Sequence, residues 1–361
     1  MQLTLVRQLA NNFDPNREHL KLFRKQSRQI KQVFSDFSPD VSIDLHEFTA
    51  STIYGGDYQH AADSLISGGI NPNIHSDIRD LLLNNFIPKT AEALEAYGLR
   101  QEPYVVGASN STPGSPIEFT EAVTEARTGR NAYGLTQTVS FLLEMRGIRL
   151  ANQHFQRRVA TSLIKLISIL ETVRDDFETV SGTIRNAREA FITGNEDIIV
   201  TDYFNRINRT FTLVDRNNGS VVQVPVSFYE TTPSIANLTR SRPEAYLIPS
   251  TYYDVVDRLR ILGLEVEVLE YEYRGRVQAM NITSSVLDEE VYEGTVLNTV
   301  ETECYMTDVN LPRGSYLVST RQKNAALAFI ALEPENIDSF VKYNIVQVTE
   351  ADQYPIFRIL G

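Results

Sequence analysis

The apolar pattern of this chain changes once, near residue 198, and that change limits the folds open to it. Before it, helical stretches alternate with strands. Residues 16–37, "NREHLKLFRKQSRQIKQVFSDF", start irregularly and become helical, with Ile30, Val33, Phe34 and Phe37 at i, i+3, i+4 and i+7 and Lys and Arg opposite. "SPD" stops that helix, and residues 41–45 read as a short strand. Helix-then-strand order is that of an α/β sheet. Residues 54–74, rich in Gly, Asn and Ser, read as a long loop. Residues 75–97 read as helix, with Ile78, Leu81, Leu82 and Phe86 on one side. "TQTVSFLLEMRG" (136–147) is a second strand, and 151–191 is strongly helical, with Val159, Leu163, Leu166, Ile167 and Leu170 as its expected buried face.

After the change, short strands follow one another: "RTFTLVD", "SVVQVPVSF", "AYLIP", "LEVEVLEYEY" and "RVQAMNITS". "NNG" at 217–219 is a hairpin turn, and one helix, "TYYDVVDRLRILG", stops at Gly263. The expected fold is therefore α/β: a mixed sheet with helices on both faces over residues 1–197, then a β-rich α+β domain over 198–361.

The 361 residues carry a net charge of -12, which argues against a broad nucleic-acid-binding face. The single cysteine, Cys304, excludes an internal disulfide and a Cys-based zinc cluster. No apolar run approaches the ~20 residues that span a bilayer. The N-terminus has no charged-then-apolar signal pattern, and the compartment stays unassigned.

Three stretches carry the candidate chemistry. "DPNREHL" offers Asn16 and Arg17, "SIDLHEF" delivers His46 on a strand, and "SFLLEMRG" delivers Glu144 on a later one. Read alone, Arg17 also suits an ion pair with Glu18 or Asp14, and Glu144 a strand-end pair with Arg146. In this order the three stretches resemble the carboxypeptidase A-like zinc metallopeptidases over residues 1–175. The resemblance implies that His46 is a zinc ligand, that Asn16 and Arg17 hold the C-terminal carboxylate of a peptide, and that Glu144 is the general base. The chemistry accounts for the residue types. A guanidinium matches a carboxylate bidentately, zinc acidifies its water, and a carboxylate relays the proton. Similarity to the C-terminal extension of some secreted carboxypeptidase-like proteins implies an accessory role for 198–361.

The family's His-x-x-Glu motif, which supplies its first two zinc ligands, has no counterpart here. Fifteen residues precede Asn16, and none is His or Glu. Arg7 is the only arginine placed to match the family's carbonyl-polarising one. Tyr133, eleven residues before Glu144, is closer than the family's active-site tyrosine and reads as structural. His19, His60, His75 and His154 read as surface or capping residues, and "HAAD" (60–63) is not promoted to a ligand pair. The expected chain is incomplete at its N-terminus: a truncated enzyme, or alternatively a non-catalytic peptide- or carboxylate-binding pseudoenzyme or a gene fragment. It should hold substoichiometric zinc, show weak or no peptidase activity, and self-associate through an exposed sheet edge unless residues 1–9 cover it.

Overall fold

A computed structural model describes residues 13–361. A 3-10 turn at Pro15–Arg17 leads into α1 (Lys25–Phe37), β1 (Val41–Thr49), β2 (Tyr58–His60) and β3 (Ser64–Gly68). Then come α2 (Ser76–Leu81), a π turn, α3 (Ile87–Glu95), β4 (Gln101–Pro103), β5 (Val105–Val106), β6 (Glu118–Glu121), α4 (Gly129–Gly134), β7 (Val139–Ile148), α5 (Phe155–Asp175) and α6 (Phe177–Thr193). The second half holds β8 (Ile198–Asp215), β9 (Val221–Arg240), β10 (Ala245–Ile248), α7 (Tyr253–Ile261) and β11 (Glu267–Val268). It closes with β12 (Tyr273–Tyr292), β13 (Thr295–Leu311), β14 (Tyr316–Ser319), α8 (Ala325–Leu332) and β15 (Phe357–Ile359). The fold is mixed α/β, as the patterning implied.

The sheet that carries the candidate residues has four strands in the order β1-β7-β3-β4. β1 runs parallel to β7, β3 antiparallel to β7, and β4 parallel to β3. A five-stranded sheet, β2-β8-β9-β6-β5, draws strands from both halves of the chain, and a six-stranded sheet, β11-β14-β10-β15-β12-β13, lies wholly in the second half. The main core is shared as well. It joins Phe86, Phe141 and Leu143 to Ile248, Phe329 and Ile330. α8 is buried on every side, so its sequence, AALAFIAL, shows no amphipathic period.

Two expectations fail in an informative way. Residues 54–74 are not one long loop, because they contain β3, the fully buried strand between β7 and β4. A strand covered on both faces shows no alternation, and Ser-Leu-Ile-Ser-Gly hides its β character. Its last residue must be small, since a Cβ on Gly68 would sit 2.3 Å from both Leu82 Cδ2 and Ser140 O.

The helix faces fail more broadly. The apolar stripe of α1 faces out, with Val33 69% and Phe37 80% exposed, while Ser27 and Lys31 are buried. On α5, Val159, Leu163, Ile167 and Leu170 are exposed, Leu166 is half-buried, and Thr161, Lys165, Ser168, Ile169 and Thr172 face in. Hydrogen bonding explains how the lysines tolerate the interior. Lys31 Nζ donates to the Ala132 carbonyl (3.2 Å), and Lys165 Nζ donates to Ser64 Oγ and the Glu144 carbonyl (both 3.0 Å).

Burial lowers the pKa of Lys165 to about 7, partly offset by Glu144. The unfolded chain, with an ordinary lysine near 10.5, then binds more protons between pH 7 and 10, so stability should rise with pH across that window. Lys165→Met should flatten part of that rise, by an amount on the order of a few kcal/mol at most. Thermal melts of both proteins at pH 7 and pH 9.5 check this.

Candidate active site

Parallel pairing in register sets His46 directly beside Glu144 on neighbouring strands. Both side chains leave the same face of the sheet, and so does Asp44, two residues before His46. His46 Nδ1 lies 3.8 Å from Glu144 Oε1, and His46 Nε2 lies 2.8 Å from Asp44 Oδ2. The Asp44 carboxylate favours the tautomer with its proton on Nε2, which turns Nδ1 toward Glu144. Glu144 is 5% exposed, so its carboxylate works largely out of bulk water.

Asn16 and Arg17 arrive on the 3-10 turn. Asp14 starts it, its Oδ1 accepting from the Asn16 backbone N–H at 2.9 Å, and Pro15 presets the first φ. Asn16 Oδ1 accepts from the Gly129 N–H at 2.8 Å, which ties the turn to the start of α4. Arg17 Nη1 donates to the Asn16 carbonyl at 2.7 Å and stands 4.0 Å from Asp14 Oδ2. Glu18 instead engages Lys21 at 2.9 Å, and Arg146 donates to the carbonyls of His60 and Ala50.

Two adjoining cavities result. One, of about 700 Å³, is lined by Asp14, Asn16, His19, Asp44, His46 and Glu144. The other, of about 270 Å³, is lined by Asn16, Arg17, Tyr104, Glu125, Arg130 and Glu144. Asn16 and Glu144 belong to both, so Arg17, His46 and Glu144 share one cleft. An anionic group at Arg17 and a polar bond near Glu144 and His46 fit that arrangement.

Sequence reading missed several residues of this cleft. His19, expected to be ordinary, lines the larger cavity, and removal from bulk water, with Lys31 adding, lowers its pKa to about 4. Asp44 drew no attention because its role depends on the pleat. Arg130 is buried in the smaller cavity, and burial lowers its pKa. Tyr133 stacks on Phe34 at 4.1 Å between centroids and is pushed up to about 12, chiefly by burial. His60 is not a surface residue. It is buried among Phe48, Phe119 and Phe211 and pairs with the Tyr54 hydroxyl at 2.9 Å. Asp63 is taken by Arg157 through two hydrogen bonds of 2.6 and 2.9 Å, so His60 and Asp63 form no ligand pair. His75 caps α2, as expected. Arg7 and the strand expected at residues 1–9 lie outside the described residues.

Among the described residues, no three His, Cys, Asp or Glu side chains converge to hold a metal ion. His46 offers one nitrogen, whereas zinc sites use at least three protein ligands.

The chain is 48% identical over 355 residues to carboxypeptidase 2 of Trichophyton rubrum, a match covering 98% of this chain and 66% of that protein. It is 47% identical over 355 residues to carboxypeptidase 2 of Trichophyton equinum, with the same coverage. Against the probable carboxypeptidase 2 of Arthroderma benhamiae it is 46% identical over 334 residues, 92% of this chain and 63% of the relative. The chain thus spans just under two thirds of the length of these relatives. No protein-family profile matches the chain, and no solved structure matches it.

The lowered pKa of His19 carries a sign. Its folded value near 4 lies below the ordinary 6.5, so the unfolded chain binds more protons between those values. Stability should fall as pH drops from 6.5 to 4. His60, lowered to about 4 by burial, contributes in the same window. His19→Asn should remove part of the fall in melting temperature and leave the His60 part, which melts at pH 6.5 and 4.5 would read.

Proposed function

Taking the chain as a homologue of carboxypeptidases, we propose that it binds the C-terminal carboxylate of peptides through Asn16 and Arg17. In the same reading Glu144 is the general base and His46 one zinc ligand of a metallocarboxypeptidase centre. The observation that carries this reading is the shared wall of the two cavities, where Asn16 and Glu144 connect the Arg17 side to the His46 side. A carboxylate paired with Arg17 would leave the last peptide bond of a substrate near Glu144. There Glu144 can take a proton from water and return it to the leaving amine. Asp44 orients the His46 ring. Tyr104 and the buried Arg130, beside Glu125, bound the space for the terminal side chain. Residues 1–197 form the peptidase-like part and 198–361 an accessory part that buttresses the cleft.

The donor set of the described residues is too small for tight zinc binding, so the chain by itself should hydrolyse peptides weakly or not at all. A second reading has the chain as a non-catalytic carboxylate- or peptide-binding pseudoenzyme. It is favoured by the same small donor set beside an intact Asn16–Arg17 turn. Hydrolysis of a peptide by the chain, abolished by Glu144→Gln, would decide for the enzyme. No helix among the described residues is long and apolar enough to cross a membrane.

Purified from zinc-containing medium and dialysed, the chain should retain well under one zinc per molecule by elemental analysis. One tightly held zinc that survives a chelator would refute the one-ligand reading. Calorimetry should show a peptide with a free C-terminus binding more tightly than its C-terminal amide. Arg17→Ala should erase that preference, a loss of about 1.5–3 kcal/mol for charge-assisted hydrogen bonds. Equal binding of acid and amide by the unaltered chain would remove the basis of both readings.

A further inference from the structure

Arg130 is a buried arginine whose charge the described residues leave unmatched. It is 5% exposed, and among those residues its guanidinium makes a single hydrogen bond, Nη2 to the Val123 carbonyl at 2.7 Å, while Nε has no partner. The other buried arginines are better served. Arg127 lies against Asp338 and Glu125, Arg358 against Glu333, and Arg258 against Asp254. Arg242 ends on the Phe191 and Thr320 carbonyls. The Val123 carbonyl does not explain Arg130 either, because Asn131 Nδ2 already donates to it at 2.8 Å. A guanidinium held out of water without a counter-charge is costly, and an uncharged side chain of similar length would fill the same space without that cost.

The side chain lines the cavity of about 270 Å³, together with Arg17 and Tyr104, whose ring centre lies 5.9 Å from the guanidinium carbon. The charge of Arg17 adds to burial in lowering the pKa of Arg130, so two cations bear on one small space. The carboxylates on the same wall are engaged elsewhere. Glu121 Oε2 accepts from the Thr231 N–H at 2.9 Å, Glu125 lies 3.1 Å from Arg127 Nε, and Glu144 stands 3.8 Å from His46 Nδ1. A cavity of this size suits one residue of a peptide and not a longer run.

We propose that Arg130 makes this cavity selective for a terminal residue with an acidic side chain, so that the peptides the chain takes end in glutamate or aspartate. The inference rests on the reading in which Arg17 holds the terminal carboxylate. Arg17 then takes the main-chain carboxylate and Arg130 the side-chain one, and the ligand supplies the counter-charge that the described residues do not. Planar carboxylates suit both guanidinium groups. A basic terminal residue would bring a third cation against the two already there. An apolar one would displace water from Arg130 and leave its charge unmatched, and a buried donor left unpaired is what discriminates against the wrong ligand.

The test is calorimetry on the full chain with four peptides of one sequence, ending in glutamate or glutamine, each as the free acid and as the C-terminal amide. A chelator is present throughout, so that no peptide is cleaved. Glutamate and glutamine differ in charge and hardly in shape. The glutamate acid should bind about tenfold or more tightly than the glutamine acid. Arg130→Gln should erase that difference and keep the preference for acid over amide, whereas Arg130→Lys, which keeps the charge, should retain part of it. Equal binding of the two acids by the unaltered chain overturns the proposal without any variant. So does a glutamate preference that survives in folded Arg130→Gln, or a loss of the acid-over-amide preference in that variant, which would place Arg130 on the main-chain carboxylate. If the unaltered chain binds neither acid more tightly than its amide, the carboxylate reading fails, and the comparison of the two amides then decides on Arg130 by itself. Binding of none of the four overturns both.

Discussion

The parallel register of β1 and β7 is the constraint from which the rest of the cleft follows. Ser42 Oγ donates to Ser140 Oγ at 3.0 Å across the pair, and four residues further on the same register sets His46 beside Glu144. A slip of one residue would turn His46 to the opposite face. The other side of β7 holds the register as well. Gly68 on β3 meets Ser140 so closely that no side chain fits, and Lys165 ties the Glu144 carbonyl to Ser64 on β3. The carboxylate and imidazole are therefore positioned by a strand pinned on both sides, not by mobile loops.

Much of this was legible in the sequence, but unevenly. His46 and Glu144 stood out because each follows an apolar run with strand character, and Asn16 and Arg17 because their pair, upstream of these two, completes the ordered resemblance to the metallopeptidases. Their meeting depends on register and crossover, which no local pattern encodes. β3 was missed because full burial removes the alternation that identifies a strand. His60 was misread because nothing local distinguishes a histidine among distant aromatic rings from one on the surface.

The inverted faces of α1 and α5 carry a different lesson. Apolar periodicity states that a face is to be buried, but not what will bury it. On both helices the stripe points away from the described core, while lysines whose apolar stems and ammonium bonds suit the interior face inward. Ordinarily a lysine is the last residue to be found fully buried. Lys31 and Lys165 are tolerated because their ammonium groups keep hydrogen-bond acceptors inside, the Ala132 carbonyl for the first and the Glu144 carbonyl with Ser64 Oγ for the second. Sequence and structure agree that both segments are helical and differ only in which face turns to the core.

The second half of the chain reaches the cleft through a buried ion pair, as well as through Glu293, whose Oε2 accepts from the Asp14 N–H at 3.0 Å. Asp338, fully buried, accepts from the Arg127 backbone N–H at 2.9 Å, lies 2.8 Å from Arg127 Nε, and accepts from the Tyr343 hydroxyl at 2.7 Å. Arg127 opens the segment Thr128-Gly129-Arg130, whose Gly129 N–H is bound by Asn16 and whose Arg130 lines the smaller cavity. Removing one partner of such a pair leaves a buried charge unmatched, which costs more than the pair itself contributes. A chain of contacts thus runs from Asp338 through Arg127 to Gly129 and Asn16 on the wall of the cleft.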